Sequence, residues 1–174
     1  NHYLLAINVV LRSKCIGIAF ADLSTGEFEV AEFQLDKSHR FYDFLAQLSP
    51  QEVILTQSRS EAESIFLEEL VRRMTKLLYK GNTIEIKSES ITEHRSGLKG
   101  KHVFPSTGRF NFIDPYHFDS AATQRSLKKH FQTLNLSGFG VHDLQHGISA
   151  AGALLRYLED TQKCDLNHLT SLKR

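Results

Sequence analysis

The segment Gly147-Ile148-Ser149-Ala150-Ala151-Gly152-Ala153-Leu154-Leu155-Arg156-Tyr157-Leu158-Glu159-Asp160-Thr161-Gln162 has the pattern of a deeply packed helix. Its apolar residues recur with helical period on one stripe: Ile148, Ala151, Leu155 and Leu158. Gly147 and Gly152 lie among small residues beside this stripe, and a glycine inside a helix costs about 1 kcal/mol relative to alanine. Close approach of a sheet or a second helix is the simplest explanation of that cost. We also expect Gly138 and Gly140 to shape the turn that leads into this helix.

The bulk composition indicates an ordinary globular domain and excludes several other classes. The chain has 174 residues, of which 41% are hydrophobic and 24% charged, so a single domain with a substantial core is expected. Its net charge of +1 creates no overall field that would attract nucleic acid or an anionic membrane. The longest apolar run, residues 4–11, is too short to cross a bilayer.

The cysteines and histidines give no sign of a metal or cofactor site. Cys15 and Cys164 lie far apart in the chain, which is typical of buried thiols in a reducing compartment, so a cytoplasmic location is expected. His142 and His146 have the i, i+4 spacing of a zinc-binding helix, but such a helix needs a Glu beside the first His and a third ligand. We interpret Asp143 as a helix N-cap instead, and we expect neither a metal nor a cofactor.

The first part of the chain predicts three consecutive antiparallel strands. Residues 3–11 and 15–23 are apolar on both parities, which is typical of strands covered on both faces. In the turn that follows, Gly26 is available for a positive φ. The apolar positions of the third strand change parity after Val30, which predicts either a bulge near residues 31–32 or the end of the strand there.

The remaining pattern predicts an α/β fold. Four elements follow the third strand: a short helix that ends before Pro50, a strand over 52–56, an amphipathic helix from the capping box Ser60-Glu61-Ala62-Glu63, and a strand over 83–87. A further helix begins at Asp114 or at Asp119, with an apolar stripe of Leu127, Phe131 and Leu134. The whole order predicts a mixed sheet of about five strands with helices on both faces.

Residues 88–113 show no periodic pattern, and we interpret them as a flexible surface loop, an insertion. The segment is rich in basic residues: Arg95, Lys99, Lys101 and Arg109. Lysine and arginine side chains are sufficient for nonspecific contact with DNA phosphates. A solvated insertion is the favoured interpretation, because no aromatic residue is interleaved among these charges before Phe104.

Four segments, in this order along the chain, resemble the connector domain (domain II) of the MutS family of bacterial DNA mismatch-repair proteins. They are Asp22-Leu23-Ser24-Thr25-Gly26-Glu27-Phe28, Leu136-Ser137-Gly138-Phe139-Gly140-Val141, Ala150-Ala151-Gly152-Ala153-Leu154-Leu155 and Leu158-Glu159-Asp160-Thr161-Gln162-Lys163. The order of the predicted elements also resembles that of the ribonuclease H fold.

This resemblance implies a domain organisation and a set of partners. Residues 1–163 would form the connector domain, and residues 164–174 would begin the following core or lever domain. The chain would then be a fragment of a longer protein that binds mismatched DNA and ATP, with this module lying between its mismatch-reading and ATPase ends. Its partners would be those neighbouring domains and the protein MutL, and DNA would be bound mainly through the parent protein.

The resemblance also implies where MutL would dock, namely on the helix that precedes residues 136–140. Leu127 and Phe131 point inward by period, which leaves five residues to make contact: Gln124, Arg125, Ser126, Lys128 and Lys129. The alternative is a solvated basic helix face, since most runs of charge are of that kind.

A metal-dependent nuclease is the competing function, because the ribonuclease H arrangement places essential acids on the first and fourth strands. Residues 1–21 contain no Asp or Glu, and the first strand offers only Asn8. The fourth strand ends at Thr56 and Gln57, which leaves Asp43 as the remaining candidate acid. Two-metal hydrolysis needs clustered carboxylates, so the sequence predicts that the catalytic acids are missing and that this module is not an enzyme.

Overall fold

A mixed five-stranded sheet lies at the centre of the molecule. The computed structural model of the chain describes residues 2–78, 89–90, 102–104, 108–162 and 165–174, and for 89–90 and 102–103 it describes the backbone alone. The sheet has the order β3-β2-β1-β4-β7 and consists of β1 (Tyr3–Val10), β2 (Cys15–Asp22), β3 (Glu27–Gln34), β4 (Glu52–Thr56) and β7 (Phe110–Ile113). β1, β2 and β3 pair antiparallel, whereas β4 is parallel to β1 and β7 is parallel to β4.

In the part of the chain that the structure describes, four helices cover this sheet: α1 (Ser38–Leu48), α2 (Glu61–Leu78), α3 (Ser120–His130) and α4 (Gln145–Gln162). A separate antiparallel ladder is formed by β5 (Glu89–Ser90) and β6 (His102–Val103). The predicted α/β fold with a mixed sheet is therefore confirmed.

The central strand β1 is buried on both sides because the helices pack on both faces of the sheet. Leu5, Ile7 and Val9 belong to the apolar cluster that contains α1 and α2. Leu4 and Ala6 belong to the cluster that contains α3 and α4. Alternate residues of one strand thus enter two cores, which explains the apolar character of β1 on both parities.

The predicted bulge in β3 is wrong. The strand pairs with β2 without interruption, from Glu27 opposite Asp22 to Gln34 opposite Cys15. Phe28 at its start packs in the core under α4, whereas Phe33 near its end contacts the α1 rings on the opposite face of the sheet. The apolar parity changes because the covering helix changes, and the backbone stays regular.

The fifth strand of the sheet lies at the end of the segment that was predicted to be a loop. Residues 110–113 form β7, and the buried Phe110 and Phe112 alternate with half-buried residues. The side-chain amide of Gln57 holds the segment as well: its Nε2 donates to the Phe104 carbonyl at 2.9 Å, and its Oε1 accepts from the Phe104 N–H at 2.8 Å. The strand predicted over 83–87 lies outside the described residues, as do residues 91–101 of the predicted loop.

Residues 165–174, which the sequence assigned to a following domain, pack onto this domain. Three of their leucines are buried in the core beneath α3 and α4: Leu166, Leu169 and Leu172. Lys173 extends the edge of the sheet, since its carbonyl accepts from Val30 N–H at 2.8 Å and its N–H donates to the Phe28 carbonyl at 2.9 Å. Residues 165–174 form no helix or strand of their own, so their leucines have no regular spacing from which their burial could be predicted.

Helix α4 approaches its neighbours more closely than a side chain would allow, as the sequence predicted for Gly152. A Cβ on Gly152 would lie 2.3 Å from the Cβ of Thr123 on α3. A Cβ on Gly147 would lie 3.2 Å from the Ala31 carbonyl oxygen of β3. The closest approach was not predicted: a Cβ on Gly17 of β2 would lie 2.2 Å from the carbonyl carbon at position 146.

Two of the other predicted structural glycines occupy positive φ, and one does not. Gly26 has φ +76° and Gly140 has φ +70°, a region that residues with a Cβ rarely adopt. Gly138 has no positive φ, and a Cβ there would meet nothing within 4 Å. The expectation that Gly138 is required by the turn is therefore wrong.

The N-terminus of α4 is capped from the sheet, and the predicted cap at Asp143 is wrong. The Glu32 carboxylate of β3 accepts hydrogen bonds from the N–H groups of His146 at 2.7 Å and Gly147 at 3.1 Å. A carboxylate at this end of a helix satisfies free N–H groups and interacts favourably with the helix dipole. Asp143 instead binds Arg174 at 2.9 Å.

Replacing Gly152 by alanine tests the close contact between α3 and α4. Because the new Cβ overlaps Thr123, we expect Gly152→Ala to destabilise the fold by about 1–3 kcal/mol in urea denaturation. Gly138→Ala is the matched control and should change the free energy of unfolding by no more than about 0.5 kcal/mol. Equal stability of the two variants would contradict the contact.

Replacing Glu32 by glutamine tests the cap on α4. We expect Glu32→Gln to lower the free energy of unfolding by about 1–2 kcal/mol, because the charge-assisted bonds to two helix N–H groups are weakened. Glu29→Gln on the same strand is the control: burial raises the pKa of Glu29, so its charged form is disfavoured in the fold and its loss should not destabilise. A Glu32→Gln variant as stable as the parent in thermal melts would mean that the charge of Glu32 does not strengthen the cap.

Candidate docking face on helix α3

Helix α3 begins at a well-defined cap, and both of the predicted caps are used. The Asp119 carboxylate accepts from Ala122 N–H at 2.8 Å, at the start of α3. The Asp114 carboxylate accepts from Tyr116 N–H at 2.8 Å and caps the 3₁₀ turn Pro115–Phe118 that leads into α3. Asp-Ser and Asp-Pro each satisfy the sequence rules for a helix start, and here each starts one.

The inner face of α3 packs against α4. Thr123 and Leu127 are buried, and Thr123 meets Gly152 as described above. We define the α3 docking face as the five residues that the sequence predicted: Gln124, Arg125, Ser126, Lys128 and Lys129. Arg125 and Lys129 are exposed, as the sequence predicted, whereas Gln124, Ser126 and Lys128 are half-buried.

The C-terminal turn of α3 closes with a left-handed residue. Gln132 has φ +52°, its N–H donates to the Lys129 carbonyl at 3.3 Å, and the Thr133 N–H donates to the Lys128 carbonyl at 3.0 Å. This pair of bonds is the Schellman motif, in which the left-handed position is usually glycine. The motif turns the chain sharply away from the helix axis immediately after Phe131.

That turn places Leu134 outside the core, contrary to the predicted apolar stripe. α3 ends at His130, so Leu134 does not continue the helical period, and its side chain is 94% exposed. The flanking Phe131 and Leu136 do pack in the core. Between them the loop is held by the Thr133 hydroxyl donating to the carbonyl at position 135 at 2.8 Å.

The sequence of α3 and of the loop after it is basic. No Asp or Glu occurs between Asp119 and Asp143, while Arg125, Lys128 and Lys129 all lie on α3. Positive charges near a helix C-terminus interact favourably with the helix dipole, so part of this pattern serves the helix itself. Asp143, the acid that closes this stretch of sequence, is already paired with an arginine.

The second predicted surface, the basic residues of 88–113, is described only at its end. Arg109 is exposed in the turn before β7, where its carbonyl accepts from Val53 N–H at 2.7 Å. Arg95, Lys99 and Lys101 lie outside the described residues. Nonspecific DNA contact through these residues therefore stays a prediction.

Two polar residues that the sequence analysis compared with catalytic acids, Asn8 and Gln57, make structural hydrogen bonds through their side-chain amides. Asn8 is buried, and its Nδ2 donates to the His146 carbonyl at 3.4 Å at the start of α4. Gln57 holds the Phe104 backbone, as described above. Asp43 is exposed on α1, which covers the opposite face of the sheet from the contact that Asn8 makes.

The Cys15 thiol is buried and hydrogen-bonded. Burial and the neighbouring Glu32 carboxylate raise the pKa of the Cys15 thiol to about 12, so it stays protonated and donates to Glu32 at 3.6 Å. Among the described residues, no three His, Cys, Asp or Glu side chains are grouped so as to hold a metal ion. None of the described helices is long and apolar enough to span a membrane.

Comparison with known proteins gives a consistent result over the chain. A family model described as MutS domain II matches residues 2–170. The chain is similar to "DNA mismatch repair protein MutS" of Bacteroides thetaiotaomicron, with 30% identity over 174 residues, which is 100% of this chain and 15% of that protein. The protein of the same name from Symbiobacterium thermophilum is 34% identical over 157 residues, which is 90% of this chain and 14% of that protein. The chain thus spans about 15% of the length of the curated relatives that it matches.

The left-handed Gln132 predicts a stabilising substitution. Glycine adopts this φ without the steric cost that a Cβ imposes, so we expect Gln132→Gly to raise the free energy of unfolding by about 0.5–1 kcal/mol. Gln132→Ala retains the Cβ and is the control that should give no gain. A loss of stability in Gln132→Gly, measured by urea denaturation, would mean that the turn does not have this conformation.

Proposed function

Because the chain belongs to the MutS domain II family, we propose that it works as the non-catalytic connector module of a MutS-type mismatch-repair protein. In this proposal the parent protein binds mismatched DNA and ATP through its other domains. The module itself holds its neighbours at a set geometry and offers a docking face to a partner. These roles depend on the outer surfaces of the module and on residues 165–174, and they require no catalytic group.

We further infer a ribonuclease H-like fold that has lost nuclease chemistry. The strand order β3-β2-β1-β4-β7, with three antiparallel strands followed by two parallel ones, supports that assignment. The amides of Asn8 and Gln57 support the loss of activity, because both are engaged in structural hydrogen bonds where acids would be needed. A site for two metal ions requires clustered carboxylates, and Asp43 alone cannot supply one.

The docked segment 165–174 supports a mechanical role. It is fixed at the sheet edge through Lys173 and in the core through its leucines. His130 of α3 contributes as well, since its Nε2 lies 2.8 Å from the Leu169 carbonyl oxygen. We propose that this segment passes the orientation of the module to the following core or lever domain, so that α3 and the exit of the chain move as one body.

The observation that carries the docking proposal is the division of α3 into two faces. Its inner face is fixed by Thr123 against Gly152, and its outer face exposes Arg125 and Lys129 in a stretch of sequence without acids. A helix that presents exposed positive charge is suited to a protein surface of complementary charge. By resemblance to the family, we propose that the partner is MutL.

Charge reversal on α3 tests the docking proposal. We expect Arg125→Glu with Lys129→Glu to weaken binding of the cognate MutL N-terminal region tenfold or more, because attraction to the partner becomes repulsion. Circular dichroism should be unchanged, since both side chains are exposed.

The matched control is Lys37→Glu with Arg40→Glu, which reverses two exposed charges at the start of α1 on the opposite face of the sheet. That variant should bind MutL like the parent. If both variants bind equally in isothermal titration calorimetry, the docking face does not lie on α3.

A further inference from the structure

Leu134 is an exposed apolar residue in a loop whose conformation is fixed by hydrogen bonds and by packing on both sides. We propose that it is the apolar anchor of the α3 docking face, and that the partner surface has an apolar pocket edged with carboxylates. This inference rests on the proposed function and adds to it the chemistry of the partner surface.

The exposure of Leu134 stands out among the described residues. Its side chain is 94% exposed, whereas the other large apolar residues that are exposed, Ile65, Leu77 and Tyr116, range from 37% to 64%. A single exposed leucine is common on protein surfaces, so exposure alone is not sufficient. The conformation of the loop provides the additional argument.

The loop that carries Leu134 is held in place from both sides. Phe131 before it packs against Phe139, with ring centroids 4.9 Å apart, and Leu136 after it is buried. The Schellman bonds of Gln132 and Thr133 determine the direction in which the chain leaves α3. Asn135 completes the loop through its Oδ1, which accepts from Ser137 N–H at 3.1 Å.

This preorganisation matters for binding because an anchor that is already fixed loses little entropy when it enters a pocket. Residues that dominate interface energies are those that fill a well-packed pocket on the partner, and the surrounding polar contacts exclude water. Leu134 follows directly on the turn that closes α3, and Lys129 lies in the last turn of that helix, so the proposal places both residues against one partner surface.

The positive charge of the α3 lysines near Leu134 indicates which charge the partner surface should have. Lys128 and Lys129 supply the carbonyls that accept the two turn bonds, so both residues lie within one helical turn of the loop. The segment from residue 120 to residue 142 contains no acidic residue. A partner pocket that receives Leu134 would therefore be complemented by carboxylates at its edge.

Four single variants of the 174-residue chain test the inference, with the cognate MutL N-terminal region as the probe in titration calorimetry. Leu134→Ala should weaken binding tenfold or more. Ile65→Ala, which removes an exposed apolar residue of α2 on the other face of the sheet, should leave binding unchanged. Leu134→Lys should bind more tightly than Leu134→Glu, because carboxylates at the pocket edge attract one and repel the other.

The outcomes separate the inference from the proposed function. If Leu134→Ala binds like the parent while the Arg125 and Lys129 reversal still weakens binding, the anchor is wrong and docking on α3 stands. If Leu134→Glu binds as well as Leu134→Lys, the carboxylate edge is wrong. If the parent chain binds no MutL, the proposed function and this inference fail together.

Sedimentation of the chain alone provides a further check. We expect a monomer whose sedimentation coefficient is independent of concentration and is unaffected by Leu134→Ala. A concentration-dependent dimer that Leu134→Ala abolishes would assign the leucine to a second copy of this chain and would overturn the inference.

Discussion

The close packing of helix α4 against β2 and α3 fixes the positions of the other elements. Gly17 of β2 brings the sheet against the first turn of α4, and Gly152 brings α3 against its middle. Glu32 reaches from β3 to cap the same end of α4 that Gly17 contacts. Helix α4 is therefore positioned by a strand, a second helix and a carboxylate at once, and side chains larger than hydrogen would force these elements apart.

That constraint connects the buried helix to the surface that is proposed to bind a partner. Because α3 is fixed to α4 through Thr123 and Gly152, the outer charges of α3 keep a defined orientation relative to the sheet. The segment 165–174 is joined to the same unit through His130 and the edge of β3. A partner on α3 would thus contact a unit that also holds residues 165–174.

Local patterns predicted much of this arrangement, and interactions between distant residues account for what they missed. The small residues around Gly152 indicated a close helix contact, and the exposure of Arg125 and Lys129 followed from the helical period of α3. The cap on α4 could not be found in this way, because Glu32 lies 114 residues before His146. Leu134 was misassigned because a non-glycine residue, Gln132, takes the left-handed conformation that ends the helix. β7 is only four residues long, too short for a strand period to be distinguished from a loop.

Hydrogen exchange of the 174-residue chain, with and without the cognate MutL N-terminal region, tests whether α3 is the docking face. Binding should slow amide exchange over residues 124–135, while exchange in α1 and α2, on the opposite face of the sheet, should be unchanged. Protection confined to α1 and α2, with residues 124–135 exchanging as in the free chain, would contradict a docking face on α3.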